Sequence, residues 1–437
     1  MVRPKLMSQR SGASTRRADS HVISSILQAD LKTRGVAEVV VYLHDPIADG
    51  HSEGRIVCPS HFRRCFVNSR LSQPYATYRS QLSPGEHETL TSDDDPDVGY
   101  FHNLRVLHGT VDREALRRLR AHKDVAFVAG SPLLSFIHPI PDPNLGNIQA
   151  DAWGVQAIGA PRLWDKGFDG SGIVVGHLDS GVARHDALGD DAVVAFTDTD
   201  AAGNLVPAER RDMDGHGTHT AGIIAGRLNG IGVAPGCRLA SAIVTGGETM
   251  KRLLGALNWA IGLNSTSDQK VRVVNMSIGV KGFFGELEPL MDIVRASGVL
   301  PVVAVGNEGK NTSRSPGNYA NALSVGAVDS SLHIYKQSSS ERFPRPDEPL
   351  VPDLVAPGVA ILSAKLGGGF RPADGTSVAA PHIAGLAALL FQAKPDATPE
   401  EVESAIFRSC QLPAHLKRAR ANRGFPDAVT ALSILTA

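Results

Sequence analysis

The chain has 437 residues, with 44 Lys plus Arg against 45 Asp plus Glu and a formal charge of −1, so its charge balance offers nothing to nucleic acid. Hydrophobic residues at 42% and charged ones at 20% exclude a mainly disordered chain and describe a globular protein of more than one domain. Four cysteines are too few for a disulfide scaffold, and no apolar run approaches the roughly 20 residues that span a membrane.

Residues 1–34 are polar and basic (Arg3, Lys5, Arg10, Arg16, Arg17), lack the apolar stretch of a secretion signal, and are expected as a disordered tail. The missing signal points to the cytoplasm. From Val39 to Leu43 a β-branched run reads as a buried strand. Cys58 and Cys65 flank His61, but no second ligand pair follows at zinc spacing, so these read as ordinary thiols. The acidic piece Ser92–Asp97 reads as a solvated loop. Leu104–Leu107 is strand-like. A helix follows from Val111 to His122, with Ala115, Leu116 and Leu119 on one face and arginines on the other, and Val125–Val128 closes the unit as a strand. Residues 35–138 thus form a small α+β domain.

Pro139, Pro141 and Pro143 make 139–149 an extended linker. Beyond it, Ile173–Leu178, Val271–Met276, Leu300–Val305 and Leu323–Val328 are apolar runs separated by helical segments. Strands apolar on both faces and alternating with helices call for an α/β fold over 150–437. Its sheet is mainly parallel, with helices on both faces.

Open α/β sheets carry their chemistry at the carboxyl ends of the strands. The run ending at Leu178 is followed there by Asp179-Ser180-Gly181. Asp214-Gly215-His216-Gly217-Thr218-His219 opens a helix, and Gly375-Thr376-Ser377 opens another built from small residues. A serine at a helix N-terminus has backbone N–H groups aimed at whatever it attacks. His177 and His219 read as core histidines with structural hydrogen bonds, Cys237 as a turn residue, and Thr398-Pro399-Glu400-Glu401 as a capping box.

These motifs, joined by Asn275-Met276-Ser277-Ile278-Gly279, Ala304-Val305-Gly306-Asn307-Glu308-Gly309 and Ala356-Pro357-Gly358, resemble those of the subtilisin-family (subtilase) serine proteases over about residues 150–412. The resemblance implies a subtilisin-like catalytic domain and a serine endopeptidase acting on polypeptide, with no cofactor. It implies Ser377 as nucleophile, His216 as general base and Asp179 as its orienting partner, with Asn307 as the side-chain donor of an oxyanion hole. Ser277, Ile278 and Gly279 would form one edge of the substrate cleft and Gly246-Gly247 the other, with Ala304, Val305 and Gly306 completing the P1 pocket. In the same register Arg314 falls at the foot of that pocket and would favour an acidic P1 residue. Only Arg227–Ile231 separate Gly226 from Gly232, where many relatives carry a calcium loop, so no metal is expected.

The segment 37–138 resembles the family's inhibitory propeptide. That would make the chain's own N-terminal domain an internal inhibitor, with self-cleavage after Phe136 or Ile137, or else beyond Pro143 near Asn144-Leu145; the alternative is no cut at all, which would leave the domain as a permanent lid or partner-sensing module. Two other readings stay open: a dedicated regulatory protease acting on one partner, and a peptide-binding fold that does not cut.

Overall fold

The computed structural model describes residues 25–44, 62, 65–67, 98–139, 152–200, 203–206, 208–245, 249–266, 270–345 and 347–437. Cys58, His61, the acidic stretch 92–97 and most of the proline linker lie outside them.

Helix α1 (Ser25–Thr33) falls inside the stretch expected as a disordered tail. Leu27 and Leu31, one turn apart, share a face and bury it in the core of the N-terminal domain, which holds this short helix in place. Strands β1 (Ala37–Leu43), β2 (Gly99–Phe101), β3 (Val106–Val111) and β4 (Val125–Gly130) form an antiparallel sheet in the order β2-β3-β1-β4. Helix α2 (Arg113–Ala121) starts later than its sequence suggests, because the Asp112 carboxylate accepts from Ala115 N at 2.7 Å and caps it there. Strand β1 is buried on both sides. Val39, Val41 and Leu43 enter the N-terminal core with Leu116 and Leu119, while Val40 and Tyr42 enter the core of the larger domain. Strand β5 (Ser135–Phe136) leaves this unit as a tail.

The larger domain is built on β6 (Val174–Asp179), β7 (Val193–Thr199), β8 (Leu205–Val206), β9 (Arg238–Ile243), β10 (Val271–Met276), β12 (Leu300–Ala304), β14 (Leu323–Val328) and β17 (Leu354–Pro357). They form one sheet in the order β17-β14-β12-β10-β6-β9-β7-β8, parallel throughout except that β8 returns antiparallel to β7. Strands β11 (Ile278–Lys281) and β13 (Arg314–Ser315) lie beside it, and the pairs β15 (Glu341–Arg342) with β16 (Leu350–Val351) and β18 (Ile361–Ala364) with β19 (Phe370–Ala373) are short and antiparallel.

Val175, Val273 and Val302 share one core with α3 (His216–Ala225), α6 (Thr376–Ala393), α7 (Pro399–Ser409) and α8 (Ala428–Thr436). Val174, Val274 and Val303 face the opposite way, against α4 (Thr249–Thr266) and α5 (Glu288–Ala296). Burial of both faces is why these strands read as mainly apolar runs. Helix α6 is apolar and long enough for a membrane span, but its apolar window is 89% buried inside the protein, as befits a core helix. The capping box of α7 forms as expected, with the Glu401 side chain accepting from Thr398 N at 2.8 Å.

The four-stranded sheet docks on α4 and α5. Val40, Tyr42, Val106 and Ala129 share a core with Leu253, Leu257 and Leu290. Gly130 N donates to Glu286 Oε2 at 2.9 Å, and Asn103 N donates to Asn258 Oδ1 at 2.8 Å.

Candidate active site

Asp179 closes β6, His216 opens α3, and Ser377 lies in the first turn of α6. Two glycines let these ends meet. A Cβ on Gly217 would overlap the Gly181 carbonyl, so only glycine lets α3 begin against the end of β6. Gly375, at φ +149°, leaves room for Asn307; a Cβ there would stand 2.8 Å from its Nδ2 and 3.4 Å from Ser377 Oγ.

His216 Nδ1 donates to Asp179 Oδ1 at 2.6 Å, and Ser180 N donates to the same oxygen at 2.7 Å. Thr220 Oγ1 donates to the other carboxylate oxygen at 3.0 Å. Burial alone would raise the Asp179 pKa, but the facing His216 outweighs it and holds the carboxyl at about 2. Burial would lower His216, yet the charge and hydrogen bond of Asp179 keep it above its ordinary 6.5. His216 Nε2 and Ser377 Oγ are buried, and neither bonds to another group among the described residues. An imidazole held at Nδ1 with Nε2 left over is arranged to take a proton from a hydroxyl.

Asn307 is held from behind. Its Oδ1 accepts from Thr376 N at 2.9 Å and from Thr376 Oγ1 at 3.0 Å, which turns Nδ2 outward, where it donates to the His138 carbonyl at 2.9 Å. That carbonyl belongs to the tail of the N-terminal domain. Strand β5 lies antiparallel to β11, with Phe136 opposite Ile278 and Ser135 opposite Gly279, and Ile137 N donates to Ser277 O at 2.9 Å. Leu134, Phe136 and Ile137 are all buried. The rings of Phe136 and His138 stand 6.1 and 6.2 Å from that of His216. Ser277 Oγ donates to Ser377 O at 3.1 Å, tying the edge strand to the serine turn.

Ala304 ends β12, and Val305 and Gly306 follow it; Val305 O accepts from Arg314 N at 3.0 Å. Arg314 lies against both expected pocket walls: its Cβ is 3.1 Å from the place of a Gly279 Cβ, and its Cγ is 3.3 Å from that of Gly306. Its guanidinium is already engaged, however. Nε donates to Glu308 Oε1 at 2.8 Å, Nη2 bonds the same carboxylate, and Nη1 donates to Ser135 Oγ at 2.7 Å. With its charge paired, the acidic P1 preference expected of Arg314 loses its driving force. Gly246 and Gly247 lie outside the described residues.

His219 Nε2 meets the carbonyls of Ile361 and Arg371, each at 3.1 Å, and burial takes its pKa down to about 3. Cys237 is buried, and burial pushes its thiol up to about 12. Among the described residues no three His, Cys, Asp or Glu side chains cluster as a metal site. In the short loop after α3, Arg227 Nη1 donates to Asp191 Oδ1 at 2.6 Å.

Sequence reasoning passed over three supports. Asp212 Oδ1 accepts from Ser180 Oγ at 2.7 Å and Oδ2 from Thr218 N at 2.6 Å, pinning the start of α3 to the end of β6. Thr376 orients Asn307, and Glu308 neutralises Arg314. Thr376 and Glu308 lie inside motifs already singled out and Asp212 two residues before Asp214, which is the signal that could have found their roles.

The Subtilase family model matches residues 170–426. Alkaline elastase YaB of Bacillus sp. (strain YaB) is 31% identical over 366 residues, spanning 82% of this chain and 86% of its own length. Subtilisin BL of Lederbergia lenta is 33% identical over 282 residues, 63% of this chain and 93% of its own. Subtilisin E of Bacillus subtilis (strain 168) is 32% identical over 323 residues, 70% of this chain and 75% of its own.

Proposed function

The chain belongs to the subtilase family and is a serine-type endopeptidase, and from that premise we propose that it cuts polypeptide through an acyl-enzyme formed on Ser377. Ser377 Oγ attacks the substrate carbonyl while His216 Nε2 takes its proton. The same imidazole then protonates the departing amine, and Asp179 holds it in the required orientation. Asn307 Nδ2 donates to the oxygen on which negative charge develops. The observation that carries this reading is the buried 2.6 Å bond from His216 Nδ1 to Asp179, with Nε2 of the same ring left over for a hydroxyl.

Substrate enters as an added strand on β11, as β5 does, so main-chain bonds give affinity and buried side chains give choice. The tail serves as the template: apolar residues at the Leu134 and Ile137 positions, and a small hydroxyl residue opposite Gly279, where Arg314 and Glu308 leave little room.

The N-terminal domain acts as the internal inhibitor. Two observations support this: its tail occupies the cleft, and the match to alkaline elastase YaB spans more of the chain than residues 150–437 alone make up. The carbonyl on Asn307 belongs to His138, whose bond to Pro139 is a tertiary amide that serine proteases cut poorly. A cut after Ile137 needs the tail to shift by one residue. Purified enzyme should therefore be largely full-length and latent.

Wild type and Ser377→Ala are compared by fluorophosphonate labelling, peptide-library cleavage and intact mass. Slow labelling and cleavage by the wild type, limited by opening of the tail, and none by Ser377→Ala are expected. Full labelling of Ser377→Ala would refute the mechanism, and rapid, complete conversion to two fragments would refute the latent tail.

A further inference from the structure

Behind Asp179 lies a buried polar chain that a hydrophobic core does not need. His177 and Asp179 are two apart on β6, so their side chains share a face, and both are fully buried. Across from them, Thr220 stands one turn beyond His216 on α3, and Ser241 is the register partner of His177 on β9. His177 Nε2 is 2.8 Å from Thr220 Oγ1, and Nδ1 is 3.1 Å from Ser241 Oγ. Thr220 Oγ1 in turn reaches Asp179 Oδ2 at 3.0 Å.

Proton counting gives the chain a direction. Thr220 has one hydroxyl hydrogen and three acceptors in reach: Asp179 Oδ2, the His216 carbonyl at 3.3 Å and the Gly217 carbonyl at 3.1 Å. An ionised carboxylate is the strongest of these, so the hydrogen goes to Asp179. Thr220 Oγ1 must then accept from His177, which fixes the tautomer with hydrogen on Nε2 and leaves Nδ1 to accept from Ser241. Every donor in the series Ser241, His177, Thr220 points toward Asp179.

We propose that His177 and Thr220 are positioning residues for the reaction: they hold Asp179 Oδ2 so that Oδ1 faces His216, and they withdraw charge from that carboxylate. This rests on the proposed triad. His177 performs the role as a neutral ring, and its burial, only partly offset by Asp179 and Asp212, keeps its pKa below the ordinary value. Among the described residues, the charged and titratable groups around the pair are few. They are Asp179 and His177 on β6, His216 and His219 on α3, Asp212 and Asp214 before it, Arg371 on β19, and His138 on the tail.

Losing the Thr220 hydroxyl makes Asp179 more basic, so it holds a proton on His216 more firmly. In full-length enzyme, Thr220→Val should raise the midpoint of the acid limb of fluorophosphonate labelling by about half a pH unit or more. It should also slow labelling at the plateau by about tenfold, the scale of one hydrogen bond to a charged group. Thr220→Ser, which keeps the hydroxyl, should restore both. The low-field proton resonance of His216 Nδ1–H, which needs no open cleft, should titrate with the same displaced midpoint. His177→Leu should shift it in the same direction, and combining it with Thr220→Val should add little.

An unshifted midpoint in folded Thr220→Val would overturn the relay, whatever the loss of thermal stability. Failure of Thr220→Ser to rescue would overturn it as well. Ser377→Ala keeps the two readings apart. Labelling that persists in that variant removes the triad, whereas an unmoved midpoint with labelling abolished removes only the relay.

Discussion

The eight-stranded sheet brings its own cover: α3 and α6 lie over one face, α4 and α5 over the other, all from the same domain. The four-stranded sheet has α1 and α2 on one side only, and its second face closes on α4 and α5 of its neighbour. In β1 the contrast falls within one strand, between Val39 and Val41 on the inner side and Val40 and Tyr42 on the docking side. A sheet covered by its own helices can hold a reaction site with or without a lid. A sheet that borrows half its cover gains stability by docking, and docking carries its tail to β11.

Asn307→Ala tests the larger sheet alone. Turnover should fall by about 10²–10³, a factor measured within this family and carried over. The thermal midpoint should barely move, because among the described residues the Asn307 side chain bonds only the tail and Thr376. Steady-state kinetics beside a melt checks both.

Tyr42→Ala tests the docking face. Tyr42 is buried and stacks on Phe127 at 4.2 Å, and truncation should weaken docking by about 3 kcal/mol, roughly a hundredfold. Peptidase activity should rise while hydrogen exchange in β1 and β4 quickens. Unchanged activity would mean that the two sheets do not depend on each other as described.

A smaller effect is set by pH. In the proposed mechanism attack needs neutral His216, whose pKa lies above 6.5, so kcat/KM should fall about tenfold per unit below that raised value. Asp179 stays ionised down to about 2 and adds no second step in the working range. For stability the signs are opposite. The His216 contribution is complete below 6.5 and lost as pH climbs through its folded value, while that of Asp179 is present above 3.8 and lost as pH falls towards about 2. Melts across pH read these two windows.

The smallest expected change is none: EDTA should leave the thermal midpoint in place, since the short loop after α3 is closed by Arg227 and Asp191. A drop of roughly ten degrees, reversed by calcium, would reveal a site elsewhere.

The parallel sheet was legible because strands buried on both faces cannot alternate, and Val271–Met276 and Leu300–Val305 do not. The ends of β6, α3 and α6 were legible because glycine is compulsory where a helix starts against a strand, as at Gly217. Helix α1 was not, since nine residues with one buried pair of leucines carry too little pattern. Arg314 lies against two of the glycines named with it, but its bond to Glu308, six residues away, is set by side-chain geometry that spacing does not display. His177 was recognised as a core histidine; what faces it across β9 and α3 is a matter of tertiary register that a single chain of letters does not display.

While the chain is whole, β5 meets β11 at an effective concentration of roughly millimolar or more, which ordinary peptides do not match. One cut near Ile137 would leave every contact of β1, β3 and β4 in place, yet it would make return of the tail a second-order event. Occupancy of the cleft would then follow total protein concentration. Dilution alone would switch such an enzyme on, and crowding with its own kind would switch it off.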